Sequence, residues 1–253
     1  MGSTPTTGRA IRTEIMSQDE LMMRVRELRE RGYSPKEIAR TLHVAPAVVA
    51  PLIRAMAQEK EAMAPEPAVV GCWASRGWSD GLSVKARPDW PDLEGGDPSA
   101  SGLVGVVVAR EHRYDKVSVC GYLVDVFCLG VKDTLGPRAV DAHGLDRFID
   151  RFFAAFESVP LAVPLQLAQH LVLGAVGYAR ELGFEPDSSF GAVRHHLGAW
   201  SGPSAIGFGR NGKPLFIQGP RDHARTILDT LDRSVGRNNF HFVVNADQML
   251  SMS

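Results

Sequence analysis

The chain has 253 residues, which is enough for one large domain or two smaller ones. Its 28 Lys and Arg residues nearly balance 29 Asp and Glu residues, so the chain is not a polycation that holds nucleic acid through bulk charge. Three cysteines exclude a disulfide framework and favour a reducing cytoplasm. No apolar run reaches the ~18 residues of a membrane helix, so we expect no membrane partner.

The N-terminal part of the chain predicts one helix after a polar lead-in. Residues 1–16 are mostly small and polar and lack an apolar signal core, so we expect them to be disordered. A helix is predicted over residues 17–31, because Ser17 supplies an N-cap, acidic residues follow it and Gly32 ends the pattern. Its apolar stripe consists of Leu21, Val25 and Leu28.

Residues 34–54 predict two short helices joined by a tight turn. Ser34 and Glu37 have the spacing of a capping box, and Pro35 between them suits the first helical position. Ala39 is small, as a steep crossing of two helices requires. The turn consists of His43 and Val44, Pro46 opens the second helix, and the inward apolar residues are Ile38, Leu42, Val48, Val49, Leu52 and Ile53.

This segment resembles the helix-turn-helix of bacterial DNA-binding proteins, and the preceding helix completes a three-helix domain over residues 17–62. The resemblance implies that the second helix enters the major groove of double-stranded DNA. It also implies dimerisation, because a single module of this size holds DNA weakly. The expected DNA-binding residues are Lys36, Arg40 and Arg54 at the phosphates, with His43 and Ala47 near the bases.

The segment departs from that family in two places. His43 stands where the family usually has Gly, and the outward residues of the second helix are apolar except for Arg54. Base readout requires hydrogen-bonding side chains, whereas Ala contacts little beyond a thymine methyl group. Two alternatives therefore stay open: a solvated helix surface, since Glu residues are interleaved with the arginines, and a protein-docking surface on the apolar second helix.

A linker is predicted over residues 63–68, where Pro65 and Pro67 stop the helix and stiffen the chain.

The mixture of strands and helices predicts an α+β fold: an N-terminal three-helix domain followed, over residues 69–253, by a larger mixed domain with antiparallel strands. Its predicted strands are 69–75, 103–111, 117–129 (passing into helix near Asp125), 206–208, 215–218 and 240–244. Its predicted helices are 145–157, 164–182, 187–197 and 221–235. Asn211-Gly212 predicts a hairpin between the fourth and fifth strands.

Three catalytic or binding patterns occur in unsuitable contexts. Residues 207–212 match G-x-G-x-x-G but lie in the predicted hairpin rather than between a strand and a helix. Residues 77–81 match the G-x-S-x-G of serine hydrolases, yet the following residues look extended and not helical. Cys120 and Cys128 lack the spacing of a zinc site and look like core residues. We expect no cofactor and no metal.

The more informative segment is residues 120–133, in which Asp125 interrupts an apolar run. A buried carboxylate must be capped, paired or neutralised. Asp125 either caps a helix that starts beside it or marks a ligand pocket with Lys132, Asp133 and His170. An enzyme that uses these carboxylates and the lysine ranks last among our hypotheses, because no motif supports a reaction class.

Two further stretches, YLVDVFCLGVKD and ELGFEP, resemble an uncharacterised bacterial family with variable N-terminal modules. That resemblance covers most of residues 68–245 and brings no activity. The function we predict is a DNA-binding transcriptional regulator whose C-terminal domain binds an effector or a second copy. The alternative is a protein- or RNA-interaction module whose helix-turn-helix docks a partner.

Overall fold

The computed structural model describes residues 17–63, 66–85, 87, 89–91, 100–156 and 159–244. Residues 1–16, which we predict to be disordered, lie outside the described residues. The contacts divide the chain after Pro65 into two compact units, called here the N-terminal unit and the larger unit. The fold is mixed α+β, with helices in both units and an antiparallel sheet in the larger one.

The N-terminal unit consists of three helices, α1 (Gln18–Glu30), α2 (Pro35–Thr41) and α3 (Pro46–Met63). Both predicted caps are present: Ser17 accepts a hydrogen bond from the amide of Glu20, and Ser34 and Glu37 cap each other at the start of α2. The prediction was wrong for Val48, which is 44% exposed. Apolar residues from all three helices pack together, and the buried ones are Val25, Ile38, Ala39, Val49 and Leu52.

The larger unit is built on a five-stranded sheet of order β5-β4-β3-β1-β6 in which all neighbours are antiparallel. Its strands are β1 (Val69–Ala74), β3 (Leu103–Glu111), β4 (Val117–Asp125), β5 (Gly130–Val140) and β6 (Leu161–Ala162). The predicted bounds of β3 are confirmed. The prediction that the chain turns helical near Asp125 was wrong, because a tight turn there leads into β5.

Helices cover both faces of this sheet. Successive residues of β3 point to opposite faces, so Val106 and Val108 pack under α5 (Leu165–Glu181) while Val107 and Ala109 face α4 (Ala142–Phe153). The α4 side is aromatic, with Phe148, Phe152, Phe153 and Phe156 in mutual ring contact. Helix α4 begins and ends earlier than the predicted span of residues 145–157, while α5 lies inside its predicted span.

Shorter elements complete the larger unit: β2 (Ser83–Val84), α6 (Phe190–Val193), β7 (Ile206–Gly207), β8 (Leu215–Ile217), α7 (Ala224–Ser234) and β9 (His241–Val243). The predicted hairpin was wrong in its pairing. The turn at Asn211-Gly212 forms, but β7 pairs with β2, and β8 pairs in parallel with β9. The helix predicted over residues 187–197 is α6 followed by the 3-10 helix Arg194–Leu197.

Candidate functional site

The turn between α2 and α3 is closed by backbone hydrogen bonds around His43. The amide of Val44 donates to the carbonyl of Ala39 at 3.0 Å, and the amide of His43 donates to that of Arg40 at 3.3 Å. These two bonds form a Schellman motif, in which the enclosed residue adopts a left-handed backbone. His43 has φ 53°, which explains why glycine is the usual residue at such a turn.

The cations of the N-terminal unit differ in their pairing. Glu27 lies 2.8 Å from Arg31 and 3.5 Å from Arg24, which neutralises part of α1. Glu37 is engaged by Ser34 and helps to close the cap of α2. Lys36, Arg40 and Arg54 are exposed, and within the described part of the chain none of them takes part in an ion pair. Arg29 on α1 also lacks an ion pair among the described residues, and hydrogen bonds from Ser34, with a smaller contribution from the charge of Arg40, lower the pKa of Glu37.

The exposed side of α3 begins with an apolar patch. Ala47, Val48 and Pro51 are all exposed, and the first polar residue on this side is Arg54, one turn further along. The patch offers no hydrogen-bond donor or acceptor from its side chains. It therefore suits contact with apolar groups better than contact with the polar edges of bases.

Asp125 holds the turn between β4 and β5. Its side chain is 5% exposed, and its Oδ1 accepts hydrogen bonds from the amides of Phe127 at 2.9 Å and Cys128 at 3.0 Å. Burial raises its pKa to about 6, although these amides and the charge of Lys132 oppose the rise. Asp125 therefore caps a turn and not a helix.

Lys132 and Asp133 are neighbours on β5 with different partners. The Nζ of Lys132 lies 2.6 Å from the Oδ2 of Asp222, and both side chains are mostly buried. That same oxygen accepts from the amide of Gly219 at 2.7 Å. Asp133 pairs at 2.7 Å with the exposed Arg221, whose guanidinium pKa is raised by this contact. Both pairs tie β5 to the segment before α7.

His170 lies apart from these pairs, on α5. Its Nδ1 accepts from the amide of Ala205 at 2.9 Å and lies 3.1 Å from the hydroxyl of Ser204. Its ring packs between Trp90 and Trp200, with centroid distances of 5.0 and 4.8 Å. Partial burial lowers its pKa, so the neutral ring is favoured. Each of the four predicted ligand residues thus makes structural contacts, and of these four Lys132 also acts through its charge on Asp125.

The remaining sequence patterns also have structural roles. Residues 76–81 form a turn that leads to β2, and Ser79 within it is buried. Burial raises the pKa of Cys72 to about 11 and that of Cys120 to about 12, so these thiols stay protonated. Among the described residues, no group of three or more His, Cys, Asp or Glu side chains is arranged to hold a metal ion.

A groove between α5 and α6 was not anticipated from the sequence. It is an open depression on the surface of the larger unit, with a volume of about 550 Å³. Apolar side chains form its floor and charged ones its rim, a combination that has no local sequence signal. The residues that define it, called here the α5–α6 groove, include Val176, Gly177, Phe190, Gly191, Arg194 and Trp200.

None of the described helices is both long and apolar enough to cross a lipid bilayer. Comparison of the chain with protein-family models, with curated proteins and with solved structures found no match in any of the three.

Proposed function

We propose that the chain is a DNA-binding regulator, in which the N-terminal unit is a helix-turn-helix and the larger unit binds an effector or a second copy. The single observation that carries the proposal is the α2–α3 corner. Its Schellman turn joins α2 to α3, and the exposed cations Lys36, Arg40 and Arg54 lie on these two helices. In helix-turn-helix proteins the second helix lies in the major groove, and we expect α3 to bind in the same way.

The composition of α3 defines the kind of binding that we expect. Ala47, Val48 and Pro51 supply no hydrogen bonds to base edges, so phosphate contacts provide most of the affinity. The apolar side chains contact thymine methyl groups, which gives a modest preference for A·T pairs. Binding by one copy is weak and strongly salt-dependent, with dissociation constants of about 10⁻⁴–10⁻⁶ M.

The test is DNA affinity measured by fluorescence anisotropy over a salt series. Removing Arg40 and Arg54 together, each by substitution with Ala, is expected to weaken binding and to reduce the slope of log affinity against log salt by about 1.8. The matched control replaces Arg147 and Arg151, two exposed arginines of α4, with Ala. Equal affinity and equal slope in both double variants would contradict the proposal.

A second candidate function, protein docking through α3, is favoured by the 44% exposure of Val48 in the middle of the apolar patch. The substitution Val48→Arg separates the two candidates, because it adds a cation and destroys the apolar surface. If the unit binds DNA, Val48→Arg is expected to strengthen binding at low salt. If α3 docks a protein, the same change abolishes capture of that protein, since a charge at an apolar contact is not tolerated.

A further inference from the structure

Two exposed glycines line the α5–α6 groove. Gly177 on α5 and Gly191 on α6 both line it, and a Cβ atom added at either position would meet no heavy atom within 4 Å beyond the local backbone. Neither glycine has a left-handed backbone. Close packing and turn geometry therefore do not require glycine at these positions, and the space that they leave is accessible to a ligand.

The floor of the groove is apolar and partly aromatic. Val176 and Phe190 are buried, and the half-buried indole of Trp200 also lines the groove. Phe190 is held by an edge-on contact with Tyr122, whose hydroxyl donates to the carbonyl of Val193 at 2.8 Å. A planar apolar ring placed on this floor meets a surface that is fixed before the ligand arrives.

The rim of the groove carries one cation without a carboxylate partner among the described residues. Arg180 is paired with Glu185 at 2.8 Å, and Asp187 accepts hydrogen bonds from the amide and hydroxyl of Ser189. Arg194, by contrast, makes only a long contact of 3.4 Å, from its Nη1 to the carbonyl of Gly198. Its guanidinium therefore keeps donors for a carboxylate at the edge of the apolar floor.

We propose that the α5–α6 groove binds a small aromatic carboxylate. The ring lies on Val176, Phe190 and Trp200, and the carboxylate pairs with Arg194. The binding itself does not depend on the proposed function. If the chain is a DNA-binding regulator, the aromatic carboxylate is its effector.

The segment that carries Arg194 and Trp200 also holds the first residues of the larger unit. The amide of Ala199 donates to Glu66 at 3.0 Å. The buried guanidinium of Arg110 donates through Nε to the carbonyl of His196 and through Nη1 to that of Pro67, both at 2.7 Å. Arg194 and Trp200 therefore lie in the same segment as the groups that hold Glu66 and Pro67 in place.

The test is calorimetric titration of the purified full chain with naphthoate and with its uncharged amide. Naphthoate is expected to bind saturably and at least about 10-fold more tightly than the amide, because the ion pair adds to the same apolar contact. Arg194→Gln should remove this difference and leave the amide unaffected. The matched control is Arg147→Gln, an exposed arginine of α4, which should bind both probes as the wild type does.

A second variant, Gly177→Leu, should abolish binding of both probes by filling the groove. It should not lower the melting temperature, because leucine is a better helix former than glycine and meets open space. No saturable naphthoate binding at about 1 mM, or binding that persists in folded Gly177→Leu protein, would overturn the proposal. Loss of folding in both Gly177→Leu and Gly191→Val would also overturn it, because the space would then not be open. The titration contains no DNA, so failure of this proposal and failure of DNA binding can be told apart.

Discussion

The carbonyl oxygen of Ala39 accepts a hydrogen bond from the amide of Val44 at 3.0 Å, and this bond holds α2 and α3 at their corner. The residue enclosed by it, His43, must adopt a positive φ of 53°. A side chain with a Cβ atom is disfavoured in this conformation, by about 1–2 kcal/mol. The corner on which the proposed DNA contact depends therefore carries a local strain.

We expect His43→Gly to stabilise the N-terminal unit by up to about 1 kcal/mol, because glycine adopts a positive φ without a steric penalty. His43→Ala keeps the penalty and should not stabilise. Hydrogen exchange of the α2 and α3 amides measures the change for this unit separately from the larger one. If exchange were faster in the glycine variant than in the alanine variant, the strain would not lie at His43.

We expect Asp125→Asn to raise the free energy of unfolding at about pH 8 by up to about 3 kcal/mol. Burial raises the pKa of Asp125 from 3.8 to about 6, so the folded state binds this proton more tightly than the unfolded state. The stability that it contributes is therefore present below about pH 3.8 and is lost as the pH rises through about 6. An asparagine does not ionise, and its oxygen still accepts from Phe127 and Cys128.

Urea unfolding between about pH 4 and pH 8 measures this prediction, as an increasing difference between Asp125→Asn and the wild type. The control Asp125→Ala is equally unable to ionise but leaves the two turn amides without an acceptor, so it should be less stable than Asp125→Asn by about 1–3 kcal/mol at every pH. A constant difference between Asp125→Asn and the wild type would show that the carboxyl does not titrate with a raised pKa.

We expect Lys132→Met to destabilise the larger unit by about 2–4 kcal/mol. The pair that it breaks is mostly buried, with 17% of the Lys132 side chain and 11% of the Asp222 side chain exposed. Removing one partner leaves the other charge buried and uncompensated. The double variant Lys132→Met/Asp222→Asn should cost less than the sum of the single variants, with a coupling of about 1–3 kcal/mol by denaturation. Strict additivity would mean that the pair does not interact.

We expect Gly121→Ala to destabilise the larger unit by about 1–3 kcal/mol through overpacking. A Cβ atom at Gly121 would lie 2.5 Å from the Cε2 of Phe152, which covers this position on β4. Adding Phe152→Leu should recover part of the loss, since a smaller side chain leaves room for the methyl group. Thermal unfolding measures both changes. The matched control is Gly191→Ala, which meets open space and should change stability by less than about 0.5 kcal/mol.

Elements with a strong local signal could be predicted from the sequence. The pairing of Ser34 with Glu37 marks the start of α2, and both side chains make the expected bonds. Three consecutive valines mark β3, which is buried on both faces. Gly183 ends α5, and its φ of 91° is the conformation for which glycine is suited. For the two helices the deciding interactions lie within a few residues, whereas β3 is marked by an apolar run that suits burial on both faces.

Strand β5 could not be predicted, because its stabilising contacts come from β4. Gly136 and Pro137 give its sequence the appearance of a turn, and its polar residues conceal the strand pattern. Asn211 was predicted correctly as a turn residue, yet the strands beside it pair elsewhere, with β2 and β9. Local chemistry determined the turn, while tertiary contacts determined the pairing.

The candidate sites also divide into features set by local sequence and features set by tertiary contacts. The corner around His43 is local and could be located from the sequence, although what it binds stays a prediction. Asp125 was identified as a capping residue, but its turn was not. The α5–α6 groove joins residues of two helices and of the segment after them, and two of its lining residues are exposed glycines. No periodicity or motif marks such a space.

The two outer strands of the sheet limit how copies of this chain can associate. On one side, Pro137 interrupts the row of amide donors along β5, and on the other, β6 has only two residues, Leu161–Ala162. Neither margin suits backbone pairing with a neighbouring molecule. If two copies of this chain associate, we therefore expect the five-stranded sheet to stop at these margins and not to continue from one copy into the next.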